Sequence, residues 1–236
     1  AHIAEAQQGG QKVQFEYRAQ HADGHYLWVE TAGQHVPGDG GAATLIASTR
    51  SVDERKAAEE ALVRREQRVE ALYEAMRGLT EARTHEQVAE HILTLIDDTL
   101  GYPISAVRYQ TEEGVLVPAA VSGTSRALMP DRPSYDVAAD SLVALAFRRG
   151  ETMHYDDVQA LDLSYDLGVV RACAYVPIRS HGTISVGSLH VGAIDEFDLK
   201  LIEILARNAD GVIERINRED ALRAARDEAE EMNRLK

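Results

Sequence analysis

Cysteine is all but absent: Cys173 is the only one in 236 residues. A single thiol excludes an internal disulfide and any structural zinc site built on cysteines within one chain. It fits a reducing compartment, so a cytosolic setting is expected. No apolar run approaches the roughly 20 residues that a bilayer span needs, and no signal-peptide pattern opens the chain. Basic residues are scarce beside acidic ones, 25 against 39, for a net charge of −14. Phosphate backbones repel such a surface, so direct nucleic-acid binding is not expected. The acidic excess reads as a solvated surface. Catalytic signatures are missing too. There is no Gly-rich phosphate loop, no Ser nucleophile elbow and no His-Glu-x-x-His helix. Asp156-Asp157 and Asp97-Asp98 are adjacent carboxylates without organised partners, so they read as surface.

What is present is an ordinary globular composition, 44% apolar and 27% charged. In "KVQFEYR", residues 12–18, Val13, Phe15 and Tyr17 alternate with Gln14, Glu16 and Arg18, the period of a half-buried strand. Asp23-Gly24 is a hairpin-turn signal, because both positions of a type I′ turn favour residues that accept positive φ. A second strand, Tyr26 to about Val36, contains the sole tryptophan, Trp28. "PGDGG" at 37–41 makes the next turn and "AATLIAST" a third strand. Few residues precede this meander, and a three-stranded sheet alone is unstable. The expectations are that the chain starts inside a domain, and that the sheet covers its apolar face with a partner chain or the helix that follows.

At Ser51 the period changes, and Glu54 three residues on suggests a capping box. Ala58, Leu62, Arg65, Val69, Leu72, Met76 and Leu79 then fall at alternating steps of four and three, a heptad seam with one fault at Arg65. Two readings stand: a dimeric coiled coil, or an amphipathic helix lying on a neighbouring domain. Thr84 with Gln87 opens another helix that ends at Gly101. Strands are expected at 104–110 and 115–121, a loop at 123–136, a short helix in "AADSLVALAFRRG" and an edge strand in "ETMHYDD". "ACAYVPIRS" and "ISVGSLHVGA" form two further strands joined at His181-Gly182. Asp195 caps a final helix whose seam is Ile202, Leu205, Ala209, Val212 and Ile216, slipping afterwards to Leu222, Ala225, Ala229 and Met232. At 1.5 Å per residue it extends about 60 Å, more than one domain needs.

"FEYR" at 15–18, Asp23-Gly24, Trp28 in "YLWVE" and "STRSVDERKAAEEAL" at 48–62 together resemble the C-terminal half of a PAS domain with its PAC-type ending. Ser51 stands where many PAS domains carry Asp at the sheet-to-helix junction. "ACAYVPI", "GTISVGSLHV" and "EFDLKLIEILARNADGVIERI" resemble the last two strands and closing helix of a GAF domain. The fold class implied is α+β: a PAS remnant over 1–52, a helical linker over 53–80, a GAF domain over 81–216 and an exit signalling helix over 217–236. "ARDEAEEMNRLK" resembles the approach to the phosphoacceptor helix of sensor histidine kinases. The layout implies a cytosolic sensory and relay region, in which state changes pass through paired helices to an output domain. A histidine kinase is the first reading. A transcription regulator with a helix-turn-helix, a nucleotide cyclase, or a free-standing small-molecule-binding GAF module are the alternatives.

The resemblance places a ligand pocket between the GAF sheet and its covering segment, about 123–170. Its candidate residues are Tyr109, Tyr135, His154, Tyr165, Tyr175, Ser188 and His190; the other reading is a closed core filled by these side chains. The dimer-seam candidates are Leu62, Val69, Leu72, Met76, Leu79, Leu205, Ala209, Val212 and Ile216, serving a homodimer. The nine histidines offer no metal-ligand spacing: His21 and His25 straddle a turn, His85 and His91 are six apart, and His154, His181 and His190 meet only through the fold. No metal and no required cofactor are assigned. Cys173, in a buried strand, reads as an inert core residue, and the Asn-Lys-Phe-Asp-Glu pattern of cyclic-nucleotide-binding GAF domains is not found.

Overall fold

The computed structural model describes residues 13–37, 43–128, 134–163 and 167–234. It divides into two compact units, 1–67 and 68–236.

In the first unit, strands β1 (Val13–Gln20), β2 (Tyr26–Pro37) and β3 (Ala43–Ser51) form an antiparallel meander in that order. The β1–β2 turn closes as its composition demands. Gly24 takes φ 96°, its N–H donates to the His21 carbonyl at 3.0 Å, and Gln20 pairs with Tyr26. The helix α1 (Asp53–Glu81) begins directly after β3 and runs from the first unit into the second. Its first turn is tied to the sheet. The Trp28 N–H donates to Asp53 Oδ1 at 2.7 Å, and the Lys56 ammonium stands 5.5 Å from the centre of the Trp28 ring. Lys56 and Arg55 both pair with Glu16, whose carboxyl is thereby held below its ordinary pKa. The start of α1 thus covers part of the sheet, while Tyr26 and Ile46 stay exposed. The junction differs from a capping box. Ser51 Oγ accepts from the Asp53 N–H at 3.3 Å, and Asp53 rather than Glu54 makes the return contact.

In the second unit, α2 (His85–Thr94) passes without a break into a π-helical turn, Leu95–Thr99. The expected single helix over these residues is widened at its end, so that the Tyr102 N–H reaches the Ile96 carbonyl. Thr84 Oγ1 caps α2 at the Gln87 N–H, and Gln87 Oε1 reaches back to the Arg83 N–H at 2.7 Å. Next come β4 (Ile104–Gln110), β5 (Val115–Val121), the short helix α3 (Gly123–Leu128) and β6 (Tyr135–Asp136), the last two within a stretch expected to be loop. Helix α4 (Leu142–Arg149) lies between its Ser141 cap and Gly150 in the left-handed region. Strands β7 (Met153–Tyr155), β8 (Ala172–Ile178) and β9 (Gly182–Ser188) follow, then α5 (Glu196–Arg234).

The six strands form one antiparallel sheet in the order β6-β5-β4-β9-β8-β7. Alternate residues supply two apolar layers. On one face Val107, Ala174, Val176, Ile184 and Val186 pack with α2, α5 and the end of α1. On the other, Ile104, Leu116, Cys173 and Tyr175 pack with α4 and the segment around Val158 and Val170. The central strands approach closely at Gly182, where a Cβ would lie 1.9 Å from the Arg108 carbonyl oxygen. Only glycine permits that contact.

The expected dimer seam is largely consumed inside this chain. Leu72 and Leu79 of α1 and Leu205, Ala209 and Ile216 of α5 belong to the buried core of the second unit. The heptad steps record packing of α1 and α5 within one fold, because a 3.6-residue stripe serves either purpose. Met76 and Val212 are half-buried against the same core. Val69 is half-buried and Leu62 is exposed. Beyond Ile216, every described side chain of α5 is exposed.

Candidate functional site

The face of the sheet under α4 carries a polar group in its middle. In the β4–β9 register, Ile104, Ala106 and Arg108 lie opposite Gly187, Ser185 and Thr183, and all share the Cys173 and Tyr175 face. Arg108 is only 1% exposed. Its Nη1 donates to Ser185 Oγ at 3.1 Å, and its guanidinium stands 5.1 Å from the centre of the Tyr135 ring, within cation–π range. Thr183 is fully buried, and its hydroxyl has no hydrogen-bond partner among the described residues. A guanidinium keeps its charge in any protein interior, so this face holds a fixed positive charge beside two hydroxyls. Such a set suits an anionic or polar planar group.

Cys173 lies on the same face and is buried; burial pushes its thiol up to about 11, leaving little of the reactive thiolate at neutral pH. At the sheet margin, where the three-residue β7 leaves β8 uncovered, an open groove of about 990 Å³ runs past Arg149, Glu151, Arg179, Glu203 and Arg207.

Residues 82–214, more than half of the chain, match the family model for the GAF domain. The chain belongs to the GAF domain family. Among solved structures, the GAF domain of a phosphoenolpyruvate-protein phosphotransferase from Coxiella burnetii is similar at 13% identity. It covers 66% of this chain and 98% of its own, with a TM-score of 0.57. A free methionine-R-sulfoxide reductase from Neisseria meningitidis, solved with its substrate, is similar at 17% identity, covering 64% and 91% with a TM-score of 0.55. A segment of a methyl-accepting chemotaxis protein is similar at 18%, covering 63% and 98% with a TM-score of 0.51. At these identities the likeness is one of fold. No curated protein matches this chain.

Within this GAF domain the expected pocket residues separate. Tyr135 and Tyr175 do face the Arg108 layer. Tyr109 lies on the opposite face, where its hydroxyl donates to the His85 carbonyl at 3.0 Å and burial raises its pKa. His154 pairs with Ala174, and Ser188 with Ala172, both on the helix-packed face, so their side chains point away from Arg108. His190 is exposed beyond β9, its N–H donating to Ser188 Oγ. Tyr165 lies outside the described residues. Arg108, Thr183 and Ser185 escaped the sequence reading. Their signal was a cation at the inward period-2 position of "ISAVRYQ", in phase with Ile104 and Ala106.

In the first unit, the hairpin turn brings together two histidines whose spacing had suggested none of this. The His21 and His25 rings stack at 4.7 Å with Asp23 Oδ1 against both Nδ1 atoms, all three residues exposed.

Proposed function

We propose that this chain is the sensory and relay region of a signal-transduction protein, in which the GAF domain transmits its state through α5. The observation that carries the reading is the division of that helix. Its first half, through Ile216, is built into the GAF core, and residues 217–234 project with exposed side chains. A helix of 39 residues spans about 58 Å, and a segment so polar beyond the core has nothing of its own domain to bury. Leu222 and Met232 remain as exposed apolar positions on it, supporting a homodimer paired through the exit helices. A difference of a few kcal/mol between two helix packings suffices to switch such a population.

The meander of the first unit supports the PAS-type reading, and the whole layout favours a histidine kinase as the output, with a helix-turn-helix regulator or a nucleotide cyclase as the alternatives. ATP-dependent phosphorylation of the intact protein, stable to base and labile to acid, is the expected result. Absence of that phosphate together with specific DNA binding or cyclic-nucleotide synthesis selects an alternative.

Arg108 favours a second reading, in which the GAF domain binds a small anionic molecule at the face shared with Thr183, Ser185, Tyr135 and Tyr175. Native mass spectrometry of the purified chain tests it. Excess mass of a few hundred daltons, lost in Arg108→Leu, supports a ligand there; a clean mass supports a closed core. The likeness to a sulfoxide reductase adds no thiol chemistry, because Cys173 is buried with its thiol held protonated.

A further inference from the structure

His181 sits in the β8–β9 turn, and its backbone is held on both sides. Its N–H donates to the Ile178 carbonyl at 2.8 Å, and its carbonyl accepts from the Gln110 N–H at 2.8 Å. Across from it, Asp210 and Glu214 lie one turn apart on α5 and share a face. One donor atom from each of the three residues lies within 4.8 Å of the others. Asp210 is 6% exposed. Its Oδ1 and the His181 Nε2 are both buried, and neither has a hydrogen-bond partner among the described residues.

These two atoms face each other at 3.6 Å, too far for a hydrogen bond. Two ligands each about 2.1 Å from one tetrahedral ion stand about 3.4 Å apart. The separation is therefore that of two ligands around a common centre. The second Asp210 oxygen lies 3.4 Å from Arg179 Nε, the kind of outer contact that orients a ligating carboxylate. Glu214 is exposed and closes the set from the solvent side.

We propose that His181, Asp210 and Glu214 bind a divalent cation of the zinc type, which clamps α5 to the β8–β9 turn. One imidazole and two carboxylates suit Zn²⁺ and its first-row neighbours, with water completing the shell. The clamp acts on α5 within the last two turns before Ile216, where the helix leaves the core. Bound metal holds the root of the projecting segment to the sheet. This regulatory consequence rests on the relay proposed above; the metal site does not.

The test is Zn²⁺ titration of the chelator-treated chain by calorimetry, with Co²⁺ absorption as a second readout. One ion per chain is expected, with a raised Tm. His181→Gln and Glu214→Gln should each weaken binding at least tenfold and abolish the Tm shift, while circular dichroism of the metal-free variants stays that of the parent. Neither residue belongs to the apolar core, so both changes spare it. Absence of binding overturns the site. Binding lost only in the His21→Gln, His25→Gln double variant also overturns it, because the ion is then held at the hairpin turn. Binding as proposed, without change in the output of the intact protein, retains the site and refutes the regulatory role.

Discussion

Arg68 Nη1 lies 3.0 Å from Asp198 Oδ1, and that carboxylate is almost completely buried at the start of α5. Tyr102 Oη donates to the other oxygen at 2.7 Å and accepts from the Asp195 N–H. Within the second unit this network joins the middle of α1, the approach to β4 and the first turn of α5. Three segments distant in sequence meet on one buried charge, and removing a partner leaves the charge uncompensated.

Arg68→Met is expected to destabilise the GAF domain by about 2 kcal/mol, at the low end for a buried pair because Arg68 is partly exposed. Burial raises the Asp198 pKa above its ordinary value, against the lowering effects of Tyr102 and Arg68. For an acid with a raised folded pKa, the native state holds the extra proton, so this contribution is present below the unfolded pKa and is lost as pH rises through the folded value. Losing Arg68 raises that pKa further. The gap between Arg68→Met and the parent should therefore widen as pH rises from the acid side to neutrality. Denaturant midpoints at several pH values check this, and a constant gap contradicts it.

Gly182→Ala should cost about 3 kcal/mol or more, because its new methyl group would meet the Arg108 backbone rather than a movable side chain. Gly211, exposed within α5 with open space around its Cβ position, makes the control. Gly211→Ala should stabilise by about 0.5–1 kcal/mol through helix propensity. Thermal unfolding of the two variants gives opposite shifts if the packing is as described.

Cys173 should resist thiol reagents in the native protein and react fully once guanidinium unfolds it. Timed labelling with an aromatic disulfide reads this directly. Rapid reaction at neutral pH without unfolding would place the thiol nearer solvent.

Leu222→Glu and Met232→Glu together should convert the proposed dimer to monomer, because both side chains are exposed on the projecting half of α5. The Tm of the GAF core should barely change, since neither residue contributes to it. Native mass spectrometry with thermal unfolding separates these effects. An unchanged dimer would move the association elsewhere.

Local features of the fold were legible because their causes are local. Alternation in "FEYR", the hydroxyl cap at Thr84, the Asp195 start of α5 and the turn at Asp23-Gly24 each depend on residues within a few positions. The GAF resemblance was likewise carried by runs of neighbouring residues in the last strands and the closing helix. Partnership was not legible. An apolar stripe through Leu72, Leu79, Leu205 and Ala209 states that something covers it, and only the packing of α1 and α5 within one core shows what. The same holds for Tyr109 and His154: a polar residue on a strand does not declare which face it takes until the register with its neighbours is set, and one step moves it through the sheet. Arg108 came to face Tyr135, and His181 to face Asp210, through strand pairing and helix packing that bring together residues 27 and 29 positions apart in the chain. Sequence alone determined the main strands and helices and their period. Tertiary structure decided which side chains meet, because proximity between distant residues depends on the sum of all the packing and on no single stretch of the chain.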